Sequence, residues 1–193
     1  MAATPLTPMA IAVLALLFER AMHPYEMYQL LIARKEDRLL KIRPGSLYHT
    51  VDRLAERELV ASVGTDRDGN RPERTTYEVT DAGKDALRER LTELLSAPAE
   101  EYPQFTLALS EAHNLSAETA SELLKNRVAL LQKDLDELLL IAESVCEKRI
   151  YYVGLEYTVA MRTAELSWLR AFVVDIDSGA LEWQPHELAK GNR

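Results

Sequence analysis

Two short runs of alternating, β-branched residues, LVASVGT at 59–65 and TTYEVT at 75–80, flank the segment DRDGNRPER at 66–74. The Asp-Gly, Asn and Pro in that segment are turn chemistry, so the three pieces predict a hairpin. The chain around it has helical period. Residues 6–20 are apolar on nearly every side, and residues 24–34, PYEMYQLLIAR, open with Pro24 at a first-turn position. Residues 35–43 connect to a third helix at about 45–57, and residues 80–95, TDAGKDALRERLTELL, start with a capping Thr or Asp and form a fourth. Three helices, a hairpin and a helix is the order of a winged helix-turn-helix. The expected fold class is therefore mainly α, an α+β winged helix over residues 1–95.

The third helix carries the sharpest signal. In PGSLYHTVDRLAE, Pro44, Gly45 and Ser46 suit a helix start, with Ser46 as the cap. Leu47, Val51, Leu54 and Ala55 fall on one stripe, whereas Tyr48, His49, Asp52, Arg53 and Glu56 fall opposite. A helix that enters a DNA major groove needs such donors on its free face while the other face packs on the first two helices. Ser46, Tyr48, His49 and Arg53 are accordingly the expected groove residues, with Arg43 on the backbone. In the hairpin tip, Arg67, Asn70, Arg71 and Arg74 can reach phosphate or an adjacent minor groove.

The net charge of −8 is unevenly distributed. Residues 1–90 hold 14 Lys+Arg and 14 Asp+Glu; residues 91–193 hold 9 and 17, and so carry the whole excess. A DNA contact must then rely on a few placed cations rather than a broad basic face. A single cysteine, Cys146, excludes an intramolecular disulfide and fits a cytoplasmic protein. The most apolar stretch, MAIAVLALLF at 9–18, is too short to span a bilayer and is followed by Glu19-Arg20, so it reads as a buried helix and no membrane role is expected.

AVLALL, HPYEMYQLL, PGSLYHTVDRLAERELV, RTTYEVTDAGKDAL and, far downstream, AELSWLRAF together resemble the PadR family of bacterial transcription regulators. The resemblance covers about the first 95 residues closely and the remainder in architecture. It implies a sequence-specific repressor of double-stranded DNA, released from its operator by a signal that is often an aromatic or phenolic compound. It also draws attention to Tyr25 in the second helix as a DNA contact. Where the family usually has Gly before that Tyr, this chain has Pro24.

Residues 96–103, SAPAEEYP, read as a connector, and residues 104–193 as a helical dimerisation and effector region. From Ser116, a partial N-cap with Thr119 where a capping box wants Glu or Gln, a helix runs to about 145. Leu124, Val128, Leu131, Leu135, Leu138, Ala142 and Val145 alternate by four and three over three heptads, a coiled-coil-like seam. A second helix at about 151–177 carries its own stripe with Trp168 alongside. Two such seams imply a partner, by default a second copy, and hence an inverted-repeat operator with recognition helices about 34 Å apart or a multiple of it.

A small-molecule effector is expected where the winged and helical regions meet, with Met9, Tyr28, Tyr102, Phe105, Tyr152 and Trp168 as apolar candidates and His113 as a polar anchor. No glycine-rich phosphate loop, Gly-x-Ser-x-Gly or Cys-His arrangement points to catalysis, so no catalytic residue is assigned. His23, His49, His113 and His186 lack ligand spacing, so neither metal nor cofactor is expected. The alternative to a DNA-binding regulator is a winged-helix protein-interaction module whose acidic helical half docks a partner.

Overall fold

A computed structural model describes residues 4–66, 74–98, 101–144 and 148–183. The chain divides into two compact units, Met1–Glu100 and Glu101–Arg193. The architecture is mainly helical with one two-stranded antiparallel sheet, the fold class expected from the element order.

In the first unit, α1 (Pro8–Glu19) starts where the Thr7 hydroxyl accepts the Ala10 N–H at 3.3 Å. It buries Val13, Leu14, Leu16 and Leu17 in one cluster with Met27 and Leu31 of α2 (Pro24–Ala33). Leu47, Val51 and Leu54 of α3 (Pro44–Glu56) and Leu87 of α4 (Asp81–Ser96) complete this core. Each fully buried Leu or Met contributes about 1.5–3 kcal/mol, so the helices form mainly because their stripes share this core. Among the described residues, no helix is long and apolar enough to cross a membrane.

Strands β1 (Val60–Asp66) and β2 (Arg74–Val79) pair from Val60 opposite Val79 to Asp66 opposite Arg74. Ser62 faces Tyr77 and Gly64 faces Thr76, so Val63 is the extra residue of a bulge. A bridge between Met22 and Tyr77 gives β2 a second neighbour, with N–H to carbonyl distances of 3.0 and 3.2 Å. This ties the hairpin to the segment between α1 and α2.

The end of α3 meets the start of α4 through a tight turn. Glu58 adopts φ 58°; its N–H donates to the Ala55 carbonyl and that of Leu59 to the Leu54 carbonyl, each at 2.9 Å. This is a Schellman ending, with Leu54 and Leu59 both buried across it. Of the two expected caps for α4, Thr80 is the one used: its hydroxyl accepts the Gly83 N–H at 3.1 Å and donates to the Glu58 carbonyl at 2.8 Å. The Thr80 N–H donates to the Leu59 carbonyl at 3.1 Å.

The second unit is built on α6 (Ala117–Ser144) and α7 (Val153–Asp177), preceded by the short α5 (Gln104–Ser110). Ser116 caps α6 as expected, accepting the Thr119 N–H at 3.1 Å and bonding the Thr119 hydroxyl at 2.9 Å. The two long helices run antiparallel, because their cross-links invert in order. Lys125 pairs with Asp177 at 2.8 Å, Arg170 donates to Gln132 at 2.6 Å, and Arg162 pairs with Asp134 at 3.1 Å. Leu124, Leu169, Val173 and Ile176 form the centre of this unit, flanked by Phe105 and Leu109 of α5 and by Trp183.

Candidate nucleic-acid interface

α3 is held on one side and open on the other. Leu47, Val51 and Leu54 are 0, 1 and 2 % exposed, whereas Ser46, Tyr48, His49, Asp52, Arg53 and Glu56 are exposed. The periodicity of the sequence thus separates the two faces correctly. One detail differs. The helix starts at Pro44, with Arg43 in the cap position and no side-chain cap, so Ser46 lies in the first turn and is not the cap. The cause is the proline, whose fixed φ suits the first helical residue and moves the cap three residues earlier, from 46 to 43. The N–H groups of the first turn are therefore left without a side-chain cap next to Arg43, an arrangement suited to an anion.

Cations around this face fall into two groups. Arg34 donates two bonds to Glu19, at 2.6 and 2.8 Å, and Arg20 pairs with Glu26; these hold α1 to α2. Both carboxyls are held below their usual range by those guanidinium hydrogen bonds. Arg43 and Arg53 are exposed, and among the described residues neither makes an ion pair, so Arg53 is not spent on Asp52 or Glu56. Lys35 and Lys41, exposed in the α2–α3 connection, were not singled out by the sequence reading. Their signal was only the surplus of Lys and Arg over Glu36 and Asp37 in residues 34–43.

His23 is the other residue missed. It occupies the cap position of α2, its Nδ1 accepts the Tyr25 N–H at 3.0 Å, and its ring lies edge-on to Tyr48 at 6.1 Å. It therefore links the start of α2, where Tyr25 is exposed, to the free face of α3. The residue before a first-turn proline is the cap by position, but a scan for Ser, Thr, Asp or Asn caps passes over histidine. Of the hairpin residues, Arg67, Asn70 and Arg71 lie outside the described residues; Arg74 begins β2 and only its backbone is described.

In the same connection, burial raises the Glu36 carboxyl above the usual range, against the pull of Arg34. A raised carboxyl favours the folded state only when protonated, so the charge costs stability as pH rises through the folded pKa. Glu36→Gln is expected to raise the thermal midpoint at pH 7 and to lose that advantage by about pH 3, where the carboxyl is protonated in both states. Melting curves at the two pH values test this.

In the second unit the predicted seam is covered by its own chain. Leu124, Leu135 and Leu138 are buried, with Val128 and Leu131 packed alongside, and the covering helix is α7. Val145 lies outside the described residues. A four-three alternation shows that a face is buried, not which helix buries it, and α7 covers Leu124, Leu135 and Leu138 of this stripe. Apolar residues stay open on both helices: Leu123, Leu130 and Leu140 of α6, and Val153, Tyr157, Met161 and Trp168 of α7, where Ala160, Ala164 and Ala171 fill the same uncharged stripe.

The effector candidates are distributed over both units. Met9 and Tyr28 belong to the core of the first unit. Tyr102 is 86 % exposed, Phe105 lies under the Arg127 guanidinium at 3.4 Å, Tyr152 precedes α7, and Trp168 stacks on Phe172 at 5.0 Å. His113 lines a cavity in the second unit, and the tryptophan beside it is Trp183.

Residues 13–89 match the model of the transcriptional regulator PadR-like family. No curated protein matches the chain. Among solved structures, Bacillus subtilis PadR in complex with operator DNA is similar over 89% of this chain and 100% of its own, with a TM-score of 0.75 at 20% identity. Bacillus subtilis PadR in complex with p-coumaric acid is similar over 88% and 98%, with a TM-score of 0.73 at 19% identity. The Vibrio cholerae virulence activator AphA is similar over 89% and 99%, with a TM-score of 0.70 at 19% identity. The winged unit thus matches the PadR-like family of transcriptional regulators over residues 13–89, and the chain shares its fold with PadR.

Proposed function

We propose that the protein is a dimeric, sequence-specific repressor in the cytoplasm that occupies an inverted-repeat operator and leaves it on binding a small aromatic ligand. The observation that carries the DNA reading is the free face of α3, with Ser46, Tyr48, His49 and unpaired Arg53 on a helix anchored by three buried residues. Arg43 and the wing residues Arg67, Asn70, Arg71 and Arg74 meet the backbone, with Tyr25 at the start of α2. Two copies join through the uncharged stripe of α7, which has the large apolar residues an interface core uses. An effector releases DNA only by its different affinity for the bound and unbound arrangements. That the operator-bound and the p-coumaric acid-bound relatives share this fold supports both halves of the reading.

Arg53→Ala is expected to weaken operator binding by about 1–3 kcal/mol and to relax base choice at one position, whereas Arg43→Ala weakens all sequences alike and lowers the salt slope by about one. Mobility shifts on operator fragments selected from the source genome, at several salt concentrations, check both. Unchanged affinity and selectivity in Arg53→Ala and Tyr48→Phe together would remove the groove assignment. A protein with no affinity for any duplex at low salt would be the interaction module instead.

A further inference from the structure

We infer that His23 is a positioning residue for base recognition: its ring restrains the exposed Tyr48 side chain on the free face of α3 and so sets where the Tyr48 hydroxyl meets DNA. The inference rests on the DNA reading above. The two rings lie edge-on, with centroids 6.1 Å apart and planes at 73°. Aromatic pairs prefer this arrangement, because the positive edge of one ring meets the negative face of the other. Tyr48 is 39 % exposed, and among the described residues its hydroxyl makes no hydrogen bond. The hydroxyl is therefore available to a base edge, while the ring that carries it is held.

The restraint works because His23 is fixed on both sides. Before it, Met22 is buried and bonded to Tyr77 of β2 through both backbone groups, at 3.0 and 3.2 Å. After it, Pro24 is buried at the start of α2. The His23 carbonyl accepts the Glu26 and Met27 N–H groups at 2.9 and 3.1 Å, and its Nδ1 accepts the Tyr25 N–H at 3.0 Å. Main chain and ring are thus both bonded into the first turn of α2. A tyrosine on an open helix face, by contrast, exchanges between two χ1 wells. A neighbouring ring that favours one well places the hydroxyl before DNA arrives, so less freedom is lost on binding. Ser or Asp would cap the same turn, but neither has a ring to lay against α3.

Nuclear Overhauser spectra of the free full-length protein should show cross-peaks between the ring protons of His23 and Tyr48; their absence would overturn the inference. His23→Asn removes the ring and keeps a good cap. It should retain the thermal midpoint, weaken operator binding about three- to tenfold, and relax base choice at the same position as Tyr48→Phe does. In a Tyr48→Phe background it should cost less than about twofold more, because the group it places is gone. His23→Ser, a second cap without a ring, must behave as His23→Asn does. Mobility shifts on operator variants read all of these. Independent effects of the two substitutions, or equal weakening of every sequence in His23→Asn, would make His23 a direct contact instead. A wild-type protein that binds no duplex removes the DNA reading and this inference with it. One that binds selectively, with His23→Asn indistinguishable from it, removes only the role of His23.

Discussion

Gly83→Ala is expected to cost the winged unit about 3 kcal/mol or more and to lower its thermal midpoint sharply. A Cβ at this position would lie 2.0 Å from the Leu59 carbonyl oxygen and 2.9 Å from a Val79 methyl. The first of these neighbours is backbone and cannot rotate away. The Leu59 oxygen is also the acceptor for the Thr80 N–H, and the Thr80 hydroxyl both caps α4 and reaches the Glu58 carbonyl. Relief of the clash requires the start of α4 to move off the α3–β1 turn, which breaks those bonds together. Overpacking alone costs about 1–3 kcal/mol, and each lost hydrogen bond adds about 1 kcal/mol. Denaturant unfolding of Gly83→Ala beside Gly64→Ala checks the mechanism, since Gly64 has open space around its missing Cβ. Equal stability of the two variants would show that the close approach is not rigid.

Aspartate at two adjacent positions of α7 should give opposite outcomes. Leu169 is fully buried between α7 and α6, so Leu169→Asp places an unpaired charge in the core and is expected to unfold the helical unit, at a cost of at least about 3 kcal/mol. Trp168 is 52 % exposed on the uncharged stripe. Trp168→Asp should leave helical content unchanged and weaken self-association about 30-fold or more, as loss of a large aromatic at an interface centre does. Circular dichroism with sedimentation velocity separates the two effects. A Trp168→Asp protein that sediments as wild type would move the second copy to another face. Leu135→Asp belongs with Leu169→Asp, because Leu135 is buried inside the chain.

How far the sequence could be read depended on whether a signal was local. α1 to α4 and the hairpin were legible because apolar period, turn residues and capping Thr80 all lie within the elements they define. α5 escaped notice. It has seven residues, too few to show a period, and its cap position is Pro103, which offers no side-chain acceptor. Its helical form comes from Phe105 and Leu109 packing on residues distant in sequence. The exposed face of α3 could be predicted because its burial is one-sided. The seam of α6 was visible for the same reason, yet its partner was not, since Leu124 and Leu135 carry no mark of whether α7 or a second chain covers them. The His113 cavity depends on Trp183, about 70 residues away, and no spacing rule connects the two.

The cross-links between α6 and α7 bear on a weakness of leucine seams. A stripe that repeats every seven residues looks nearly the same to its partner after a slide of one repeat, so apolar packing alone leaves the alignment of two long helices underdetermined. In this pair the polar flanks remove the ambiguity. A slide of α7 by seven residues would bring Arg170 to the place of Asp177 opposite Lys125, like charge against like. Thr158 would replace Glu165 opposite Arg127, and Leu155 would replace Arg162 opposite Asp134. Each of these exposed or half-exposed pairs adds little to stability on its own. Together they work as a key for alignment, making one of several similar packings the one the chain keeps.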